Sequence, residues 1–266
     1  MLGALALAAA GMAVDAGWWE PRHPIVERRS IQFADLPAGL DGLRLAQVSD
    51  LHRSRVVSER EIKHAVAMTN ALTPDLILLT GDYVTTSTLY AEPCAAALSA
   101  LRAPLGRYAV LGNHDYRSGA RRVAAALRDA GIPVLQNQAR PIEHGGAQLW
   151  LVGVDDAWAR RHDIPAALKG VPRRGFKVAL MHEPDIADEI ACYPIQLQLS
   201  GHSHGGQICL PGIGPLHLPK LGRRYPMGLY QISDLQLYTS RGVGRIQPAV
   251  RFNCPPEITL ITLRRG

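Results

Sequence analysis

Apolar and polar positions follow one another along this chain of 266 residues in a pattern that predicts alternating strands and helices. A strand covered on both faces is a short, nearly continuous run of branched aliphatic residues. Five runs have this form: Leu43–Val48, Leu76–Leu79, Tyr108–Leu111, Val178–Leu180 and Ile195–Leu199. Helices are expected over Ser58–Leu72, Glu92–Leu101 and Ser118–Ala130, the first opened by a Ser58/Glu61 capping box. Alternation of this kind is typical of an α/β fold.

Beyond Ile132 the pattern predicts mainly strands and turns. Strands are expected at Gln148–Val154, Gln207–Leu210, Gly228–Ile232, Leu235–Tyr238 and Ile258–Leu263, with short helices at Ile164–Lys169 and Pro184–Cys192. Two halves of this kind are predicted to pack sheet on sheet, with the helices outside.

Short polar blocks stand near the ends of the five apolar runs. They are Asp50-Leu51-His52, Gly81-Asp82, Gly112-Asn113-His114-Asp115, His182 and Gly201-His202-Ser203-His204. Ligands of open α/β sheets bind at the carboxyl ends of the strands, so these side chains are expected to converge there. Oxygen and imidazole donors without a thiolate suit two hard or borderline divalent metal ions.

The spacing within the blocks suggests how the side chains divide. Residues two apart in an extended strand share a face, so Asp50 and His52 are expected to contact one metal ion. His202 and His204 also share a face, and each can lean toward a different ion. Gly81 allows close approach of Asp82, whose carboxylate can bridge the two ions.

Each block alone has a simpler interpretation. A lone aspartate after a strand is usually a turn or cap residue, and a lone histidine is usually an ordinary surface or core residue. The histidines outside the blocks are interpreted as ordinary in this sense: His23, His64, His144, His162 and His217. The occurrence of all five blocks in order favours a metal site.

The five blocks together resemble the metal motif of the calcineurin-like metallophosphoesterase superfamily, and the resemblance extends from Leu43 to about Arg264. Finer similarity points to a bacterial membrane-tethered branch that includes phosphodiesterases and a UDP-2,3-diacylglucosamine pyrophosphatase of lipid A synthesis. This similarity lies in Ser49–His52, in Met181-His182-Glu183-Pro184-Asp185, in Gly201–Gln207, in Tyr238–Gly244 and in Asn253-Cys254-Pro255-Pro256-Glu257.

The resemblance implies a four-layer α/β/β/α sandwich of two mixed sheets flanked by helices, and hydrolysis of phosphodiester or pyrophosphate bonds. Two divalent ions are implied, with Mn expected and Fe, Zn or Co as alternatives. One ion would take Asp50, His52, Asp82 and His204, and the other Asp82, Asn113, His182 and His202. His114 and Asp115 are the expected catalytic pair, in which Asp115 steadies the His114 imidazole.

Arginine supplies 25 of the 29 basic residues and the net charge is +6. Guanidinium groups pair with phosphate in a bidentate fork, so Arg53, Arg55 and Arg117, which adjoin the blocks, are predicted to bind substrate. The alternative is a solvated basic face. We find no nucleic-acid module and expect neither a specific nucleic acid nor a protein partner. The four cysteines form no Cys-x-x-Cys pair, which favours a reducing compartment.

The sequence predicts that the chain has three parts. Residues 1–20, with the apolar stretch Met1–Val14 and Trp18-Trp19, are expected to be an anchor or a signal remnant, although a full span needs about 20 apolar residues. A truncated start would also explain them. Residues 21–42 are a linker and lead-in with a first strand, and residues 43–266 form the metallophosphoesterase domain. The basic residues that follow favour attachment to the cytoplasmic membrane with a cytoplasmic catalytic domain; export and a soluble cytoplasmic protein are the alternatives.

A long irregular loop, Pro211–Gly228, follows the last block and interleaves Leu216, Leu218 and Leu221 with basic residues. Such loops are often lids, and this composition suits contact with a membrane surface; the alternative is that the leucines pack on the core. We therefore expect a lipid-linked or nucleotide-diphosphate substrate such as UDP-2,3-diacylglucosamine. The alternatives are a soluble phosphodiesterase acting on nucleotides, and a nuclease.

Overall fold

The computed structural model describes residue 11 and residues 14–266, which form two mixed β-sheets with helices on their outer faces. The strands are β1 (Ile25–Phe33), β2 (Arg44–Val48), β3 (Leu76–Leu79), β4 (Arg107–Ala109), β5 (Gln138–His144), β6 (Ala147–Gly153), β7 (Phe176–Leu180), β8 (Leu197–Ser200), β9 (Cys209–Leu210), β10 (Gly214–Pro215), β11 (Gly228–Ile232), β12 (Leu235–Thr239) and β13 (Glu257–Arg265). The α-helices are α1 (Glu59–Ala71), α2 (Ala91–Leu98), α3 (Asn113–Asp129), α4 (Ile164–Ala167) and α5 (Ala187–Ile190).

The first sheet has the strand order β1-β13-β2-β3-β4 and the second β11-β12-β8-β7-β6-β5, while β9 and β10 form a separate hairpin. The central strands β2, β3 and β4 are parallel, as are β6, β7, β8 and β12. The carboxyl ends of the parallel strands therefore meet at one edge of each sheet.

Three apolar clusters lie between the four layers, one between the two sheets and one between each sheet and its helices. Side chains alternate along each strand, so Leu76 and Leu78 of β3 lie between the sheets while Ile77 and Leu79 face the helices α1, α2 and α3. In β7, Val178 packs between the sheets and Ala179 faces the outer cluster that also contains residues of α4 and α5. The expected α/β/β/α sandwich is confirmed.

Helix α3 begins five residues before the predicted start at Ser118. Its first turn contains Asn113, His114 and Asp115, which are poor helix formers by intrinsic propensity. The Asp115 carboxylate accepts the backbone N–H of Gly112 at 3.0 Å and so caps the helix. A tertiary arrangement thus overrides local propensity, and the helix bends at Gly119, where φ is 133°.

The lead-in to the domain contributes a full strand to the first sheet. β1 pairs in parallel with β13 along its whole length, from Ile25 opposite Glu257 to Phe33 opposite Arg265. The C-terminal strand is therefore held between β1 and β2. The division into residues 1–20, 21–42 and 43–266 stays a prediction.

Most of the expected anchor, residues 1–10, 12 and 13, lies outside the described part of the chain. A π-helical turn at Asp15–Trp19 and a 3₁₀ turn at Glu20–Arg22 lead into β1. The Glu20 carboxylate accepts the N–H groups of Asn253 and Cys254 at 3.0 and 2.6 Å. Among the described residues, no helix is both long and apolar enough to cross a membrane.

The core between the sheets should dominate stability. We expect Leu45→Ala, whose side chain is fully buried between the sheets, to lower the free energy of unfolding by about 2–5 kcal/mol, because it leaves a cavity. The matched change Leu89→Ala, at a side chain that is 73% exposed, should cost less than about 0.5 kcal/mol. Denaturant unfolding of both variants checks this, and equal losses would contradict it.

Candidate metal centre

Both sheets deliver candidate ligands to one end of the sandwich. Asp50 and His52 follow β2, Asp82 follows β3, and Asn113 opens the helix after β4. From the second sheet, His182 follows β7, and His202 and His204 follow β8. The carboxyl ends of strands from two sheets therefore surround one site, which agrees with the expected convergence.

The expectation that Asp50 and His52 share a face of an extended strand is wrong. Asp50 and His52 lie beyond the end of β2 and adopt left-handed backbone conformations rather than an extended one. The same holds for three other candidates, and the positive φ values are 53° for Asp50, 49° for His52, 57° for Asp82, 70° for His202 and 52° for His204. Residues other than glycine rarely adopt this region, and such strain persists only where the surroundings impose it.

Backbone hydrogen bonds between neighbouring turns impose these conformations. The N–H groups of Asp50 and His52 donate to the carbonyls of Gly81 and Asp82, both at 3.0 Å. In the second sheet, the N–H of Gly201 donates to the His182 carbonyl at 3.0 Å. The turns are thus held by one another.

Gly112 must be glycine for a steric reason. A Cβ at this position would lie 2.4 Å from Asp82 Oδ1 and 2.8 Å from His182 Cε1. The chain can therefore bring Asp82 and His182 together only where no side chain projects between them.

One group of donors consists of Asp50, His52 and His204, all of them buried. The Nε2 atoms of His52 and His204 are 2.9 Å apart, and His204 Nε2 is 3.4 Å from Asp50 Oδ1. One ligand atom from each of the three residues lies within 4.8 Å of the others, so that the group could hold a metal ion.

A second group consists of Asn113, His182 and His202. His202 Nδ1 lies 3.0 Å from Asn113 Oδ1. Asp82 Oδ2 stands between the two groups, 3.4 Å from His52 Nε2 and 3.2 Å from His182 Nε2. The geometry therefore provides two sets of donors that meet at Asp82.

The hydrogen bonds of the imidazoles show that the second group fits a cation. Nδ1 of His182 donates to the Thr80 carbonyl at 2.7 Å, and Nε2 of His202 donates to the Lys220 carbonyl at 2.8 Å. In the neutral rings the remaining nitrogens carry lone pairs. They point at Asp82 Oδ2 and Asn113 Oδ1, which are acceptors too. His182 Nε2 is buried and has no hydrogen-bond partner of good geometry among the described residues. A cation between these atoms would satisfy all of them.

Burial and neighbouring charges together set the charge states of these groups. Burial lowers the pKa of His52 to about 3 and the pKa of His204 well below its ordinary value, so both rings are neutral and can act as ligands. Burial raises the pKa of Asp82, but the charges of His182 and His114 outweigh it, and the pKa of this carboxyl lies well below its ordinary value. The Asp82 carboxylate in turn raises the pKa of His182 despite its burial. A proton, or a metal ion that displaces it, is therefore favoured between these two residues.

The expected pairing of His114 with Asp115 is corrected by the structure. The Asp115 carboxylate accepts the N–H groups of Asp82, Tyr83, Val84 and Gly112 at 2.9–3.2 Å. It therefore ties the turn after β3 to the start of α3. His114 Nδ1 donates instead to the Thr85 carbonyl at 2.8 Å, and its ring packs edge-on against His52 with 4.7 Å between centroids.

The three arginines predicted to bind substrate have different positions. A cavity of about 280 Å³ adjoins the two groups, and Arg117 lines it together with Asp82, Asn113 and His114. The Arg53 side chain donates to the carbonyls of Ser54 and Val57, and its guanidinium lies 4.8 Å from the Tyr90 ring centroid. Arg55 is exposed and, like Arg53, is not among the described residues that line the cavity. Only Arg117 has the expected position.

Several residues at the site were missed by sequence reasoning. His217, expected to be ordinary, lines the cavity, as does Ile246. Leu216, which was predicted as part of the loop after the last block, lines the cavity too. Trp158 also lines it, is 46% exposed, and packs edge-on against His202 with 5.6 Å between centroids. The buried Glu183 carboxylate accepts the N–H groups of Ala157 at 3.1 Å and of Trp158 at 3.0 Å. The available signals were its position next to His182 and its place in the segment Met181-His182-Glu183-Pro184-Asp185.

Arg251 is another missed residue, and its side chain is fully buried. The guanidinium donates to the carbonyls of Arg241 at 2.8 Å and Gly244 at 2.7 Å. The N–H of Gly244 donates in turn to the Asp50 carbonyl at 2.7 Å. Arg251 thus supports the backbone of a candidate ligand from the far end of the sequence.

Comparison relates this chain to known proteins. The sequence model of calcineurin-like phosphoesterases matches residues 43–206, which include every candidate ligand. Phosphodiesterase YaeI of Escherichia coli is 37% identical over 254 residues, covering 94% of this chain and 90% of that protein. The UDP-2,3-diacylglucosamine pyrophosphatase LpxG of Chlamydia trachomatis is 27% identical, covering 91% of this chain and 90% of its own length.

A solved structure supports the architecture. The protein TT1561 of Thermus thermophilus has a TM-score of 0.50 and 12% identity, with coverage of 76% of this chain and 90% of that one. At that identity the likeness concerns the fold alone.

The shared carboxylate leads to a prediction about metal content. We expect Asp82→Ala to reduce the occupancy of both donor groups and Asn113→Ala to weaken mainly one, because the Asp82 carboxylate lies near an imidazole nitrogen of each group. Metal analysis after chelation, reloading and desalting measures this, with the exposed Asp41→Ala as control. A freshly loaded wild-type chain with one ion would contradict the prediction.

Proposed function

The chain belongs to the calcineurin-like phosphoesterase family and is a metallophosphoesterase, and from its site we propose that it is a dinuclear hydrolase of phosphodiester or pyrophosphate bonds. The observation that carries the proposal is the position of Asp82 between two sets of donors, of which all but the half-buried Asn113 are buried. One set is Asp50, His52 and His204, and the other is Asn113, His182 and His202. Mn is the expected metal; Fe, Zn and Co suit the same donors.

The residues of the chain divide the work of the reaction. The two donor sets, which meet at Asp82, would hold two divalent ions, and these would supply Lewis acidity and activate a nucleophilic water. His114 lines the cavity with Nδ1 at 2.8 Å from the Thr85 carbonyl, and Arg117 Nη2 lies 3.3 Å from its Nε2, so that imidazole and guanidinium face the substrate space together. We assign to His114 protonation of the leaving oxygen. Asp115 acts on the same step indirectly, because it fixes the backbone that carries Asp82 and His114.

The role of His114 can be separated from metal binding. We expect His114→Ala to retain two ions while its turnover falls by roughly 10²–10⁴-fold, the range for a general acid–base group. The measurement is turnover of a soluble phosphodiester by variants of verified metal content, with the exposed His64→Ala as control. Hydrolysis by His114→Ala at the wild-type rate would refute the assignment.

The substrate class is proposed from the cavity and from one relative. The cavity joins the polar donors to a wall that includes Ile208, Leu216 and Ile246. A phosphate group at the metal centre and an apolar group along this wall fit an amphiphilic substrate. LpxG is named for a substrate of this kind. We therefore propose a lipid-linked or nucleotide-diphosphate substrate such as UDP-2,3-diacylglucosamine.

The outer surface beside this cavity supports contact with a membrane. Ile213 and Leu216 are 75% and 57% exposed, and Trp18 and Trp19 are exposed as well. Backbone hydrogen bonds connect the two regions through intervening segments: Arg251 N–H to Ala16, Phe252 N–H to Gln207, and Leu216 N–H to Ile208. Leu221 packs instead on an apolar cluster, as the alternative interpretation held. We propose association with the cytoplasmic membrane, with the catalytic domain on its cytoplasmic side.

The exposed residues of this surface should matter only for amphiphilic substrate. We expect a double variant, Ile213→Ser with Leu216→Ser, to lose activity on acylated substrate in micelles while it retains most hydrolysis of a soluble diester. Leu229→Ser, at a similarly exposed leucine of β11, is the control. Equal losses on both substrates would show that the two residues support the fold instead.

A hydrolysis panel tests the proposed function as a whole. The Mn²⁺-loaded chain is assayed with lipid-linked nucleotide diphosphates, simple phosphodiesters, phosphomonoesters and nucleic acid. Preference for the first class supports the proposal. Preference for soluble nucleotides, or processing of nucleic acid with steep salt dependence, would favour the alternatives.

A further inference from the structure

The sequence His182-Glu183-Pro184-Asp185 contains an acidic residue, Asp185, that the proposed chemistry does not use. Its carboxylate accepts three consecutive backbone N–H groups, those of Arg223 at 3.0 Å, Arg224 at 3.1 Å and Tyr225 at 3.2 Å. Its own N–H donates to the Leu221 carbonyl at 3.1 Å. One residue therefore holds both ends of the segment 221–225.

This segment is strained and needs to be held. Leu221 has a φ of 67°, a conformation that a leucine adopts only where its surroundings impose it. The next residue, Gly222, lies so close to His202 that a Cβ on it would be 3.2 Å from the imidazole Cδ2. The segment thus packs against the ring of a candidate ligand.

The same segment begins beside Lys220, whose carbonyl accepts the Nε2–H of His202 at 2.8 Å. A neutral imidazole exists as two tautomers, and a carbonyl acceptor at one nitrogen selects the tautomer with its lone pair on the other. In His202 that lone pair is on Nδ1, which faces Asn113 Oδ1 at 3.0 Å. The Lys220 carbonyl therefore decides whether Nδ1 is available as a ligand.

We propose that Asp185 is a positioning residue that fixes the tautomer and orientation of His202 through the Lys220 carbonyl, and thereby completes the donor group of Asn113, His182 and His202. The proposal rests on the proposed function, because it takes His202 as a metal ligand. Asp185 lies three residues after His182, so the segment that supplies one ligand also fixes another.

Asp188 provides a matched control within the same part of the chain. It lies in α5 and contacts the same segment, accepting from Arg224 Nη1 at 2.5 Å and from the Tyr225 hydroxyl at 2.8 Å. These contacts involve the side chains of the segment, whereas Asp185 binds its backbone. Removal of Asp188 should therefore loosen the surface of the segment without releasing the Lys220 carbonyl.

The experiment compares the full-length wild type with Asp185→Ala, Asp185→Asn and Asp188→Ala. Each metal-free protein is titrated with Mn²⁺, and bound and free ions are counted by electron paramagnetic resonance. We expect Asp185→Ala to bind one of the two ions roughly 10–100-fold more weakly, the effect of losing a partner that orients a ligand. Asp185→Asn should lose less, because its amide oxygen can still accept N–H groups. Asp188→Ala should bind both ions as the wild type does.

A second readout does not depend on metal. The ¹⁵N chemical shifts of the His202 ring in the metal-free protein should report Nε2–H in the wild type and in Asp188→Ala, and a mixture of tautomers in Asp185→Ala. Equal metal loss in Asp185→Ala and Asp188→Ala, or an unchanged His202 tautomer in Asp185→Ala, would overturn the proposal. A wild type that binds fewer than two ions would instead count against the dinuclear function, and the ring shifts would still decide the role of Asp185.

Discussion

The site depends on the close approach of imidazole nitrogens and carboxylate oxygens around Asp82. Its carboxylate stands within 3.4 Å of two buried imidazole nitrogens, and one of them belongs to each donor group. Buried acceptors that face one another are unfavourable unless a proton or a metal ion lies between them. The fold holds these groups close enough to share such a cation. The left-handed backbone at Asp50, His52 and Asp82 is part of the strain that this arrangement carries.

Several distant segments share the work of holding the site together. Asp115 binds the turn after β3, Glu183 binds the backbone at Trp158, and Arg251 binds the segment that supports Asp50. Each uses an ionisable side chain to satisfy backbone groups rather than to form an ion pair. Each of these bonds leaves a buried backbone group satisfied, and it joins segments that are far apart in the sequence. The charged residues around the centre thus serve mainly to fix the backbone on which the ligands stand.

The loop after the last polar block joins two properties of the site. Its outer part carries Ile213 and Leu216 on the surface, while its inner part places the Lys220 carbonyl on His202. An exposed apolar surface and a support for one candidate ligand are therefore built from one continuous segment. Asp185 connects that segment to the strand that supplies His182.

The sequence by itself determined the fold class, and it predicted which side chains converge at the site. Apolar runs such as Leu76–Leu79 are recognisable in the sequence, because a strand that is buried on both faces needs apolar residues at every position. The order of Asp50, Asp82, Asn113, His182 and His204 at strand ends was likewise enough to place them together. The tertiary structure alone decided the rest: Asp115 bonds to backbone rather than to His114, Arg53 turns to carbonyls, and His217 and Trp158 reach the cavity. The physical reason is that these outcomes depend on which acceptors and surfaces lie nearby, and those come from residues far away in the sequence. The local pattern of apolar and polar residues therefore does not predict these neighbours.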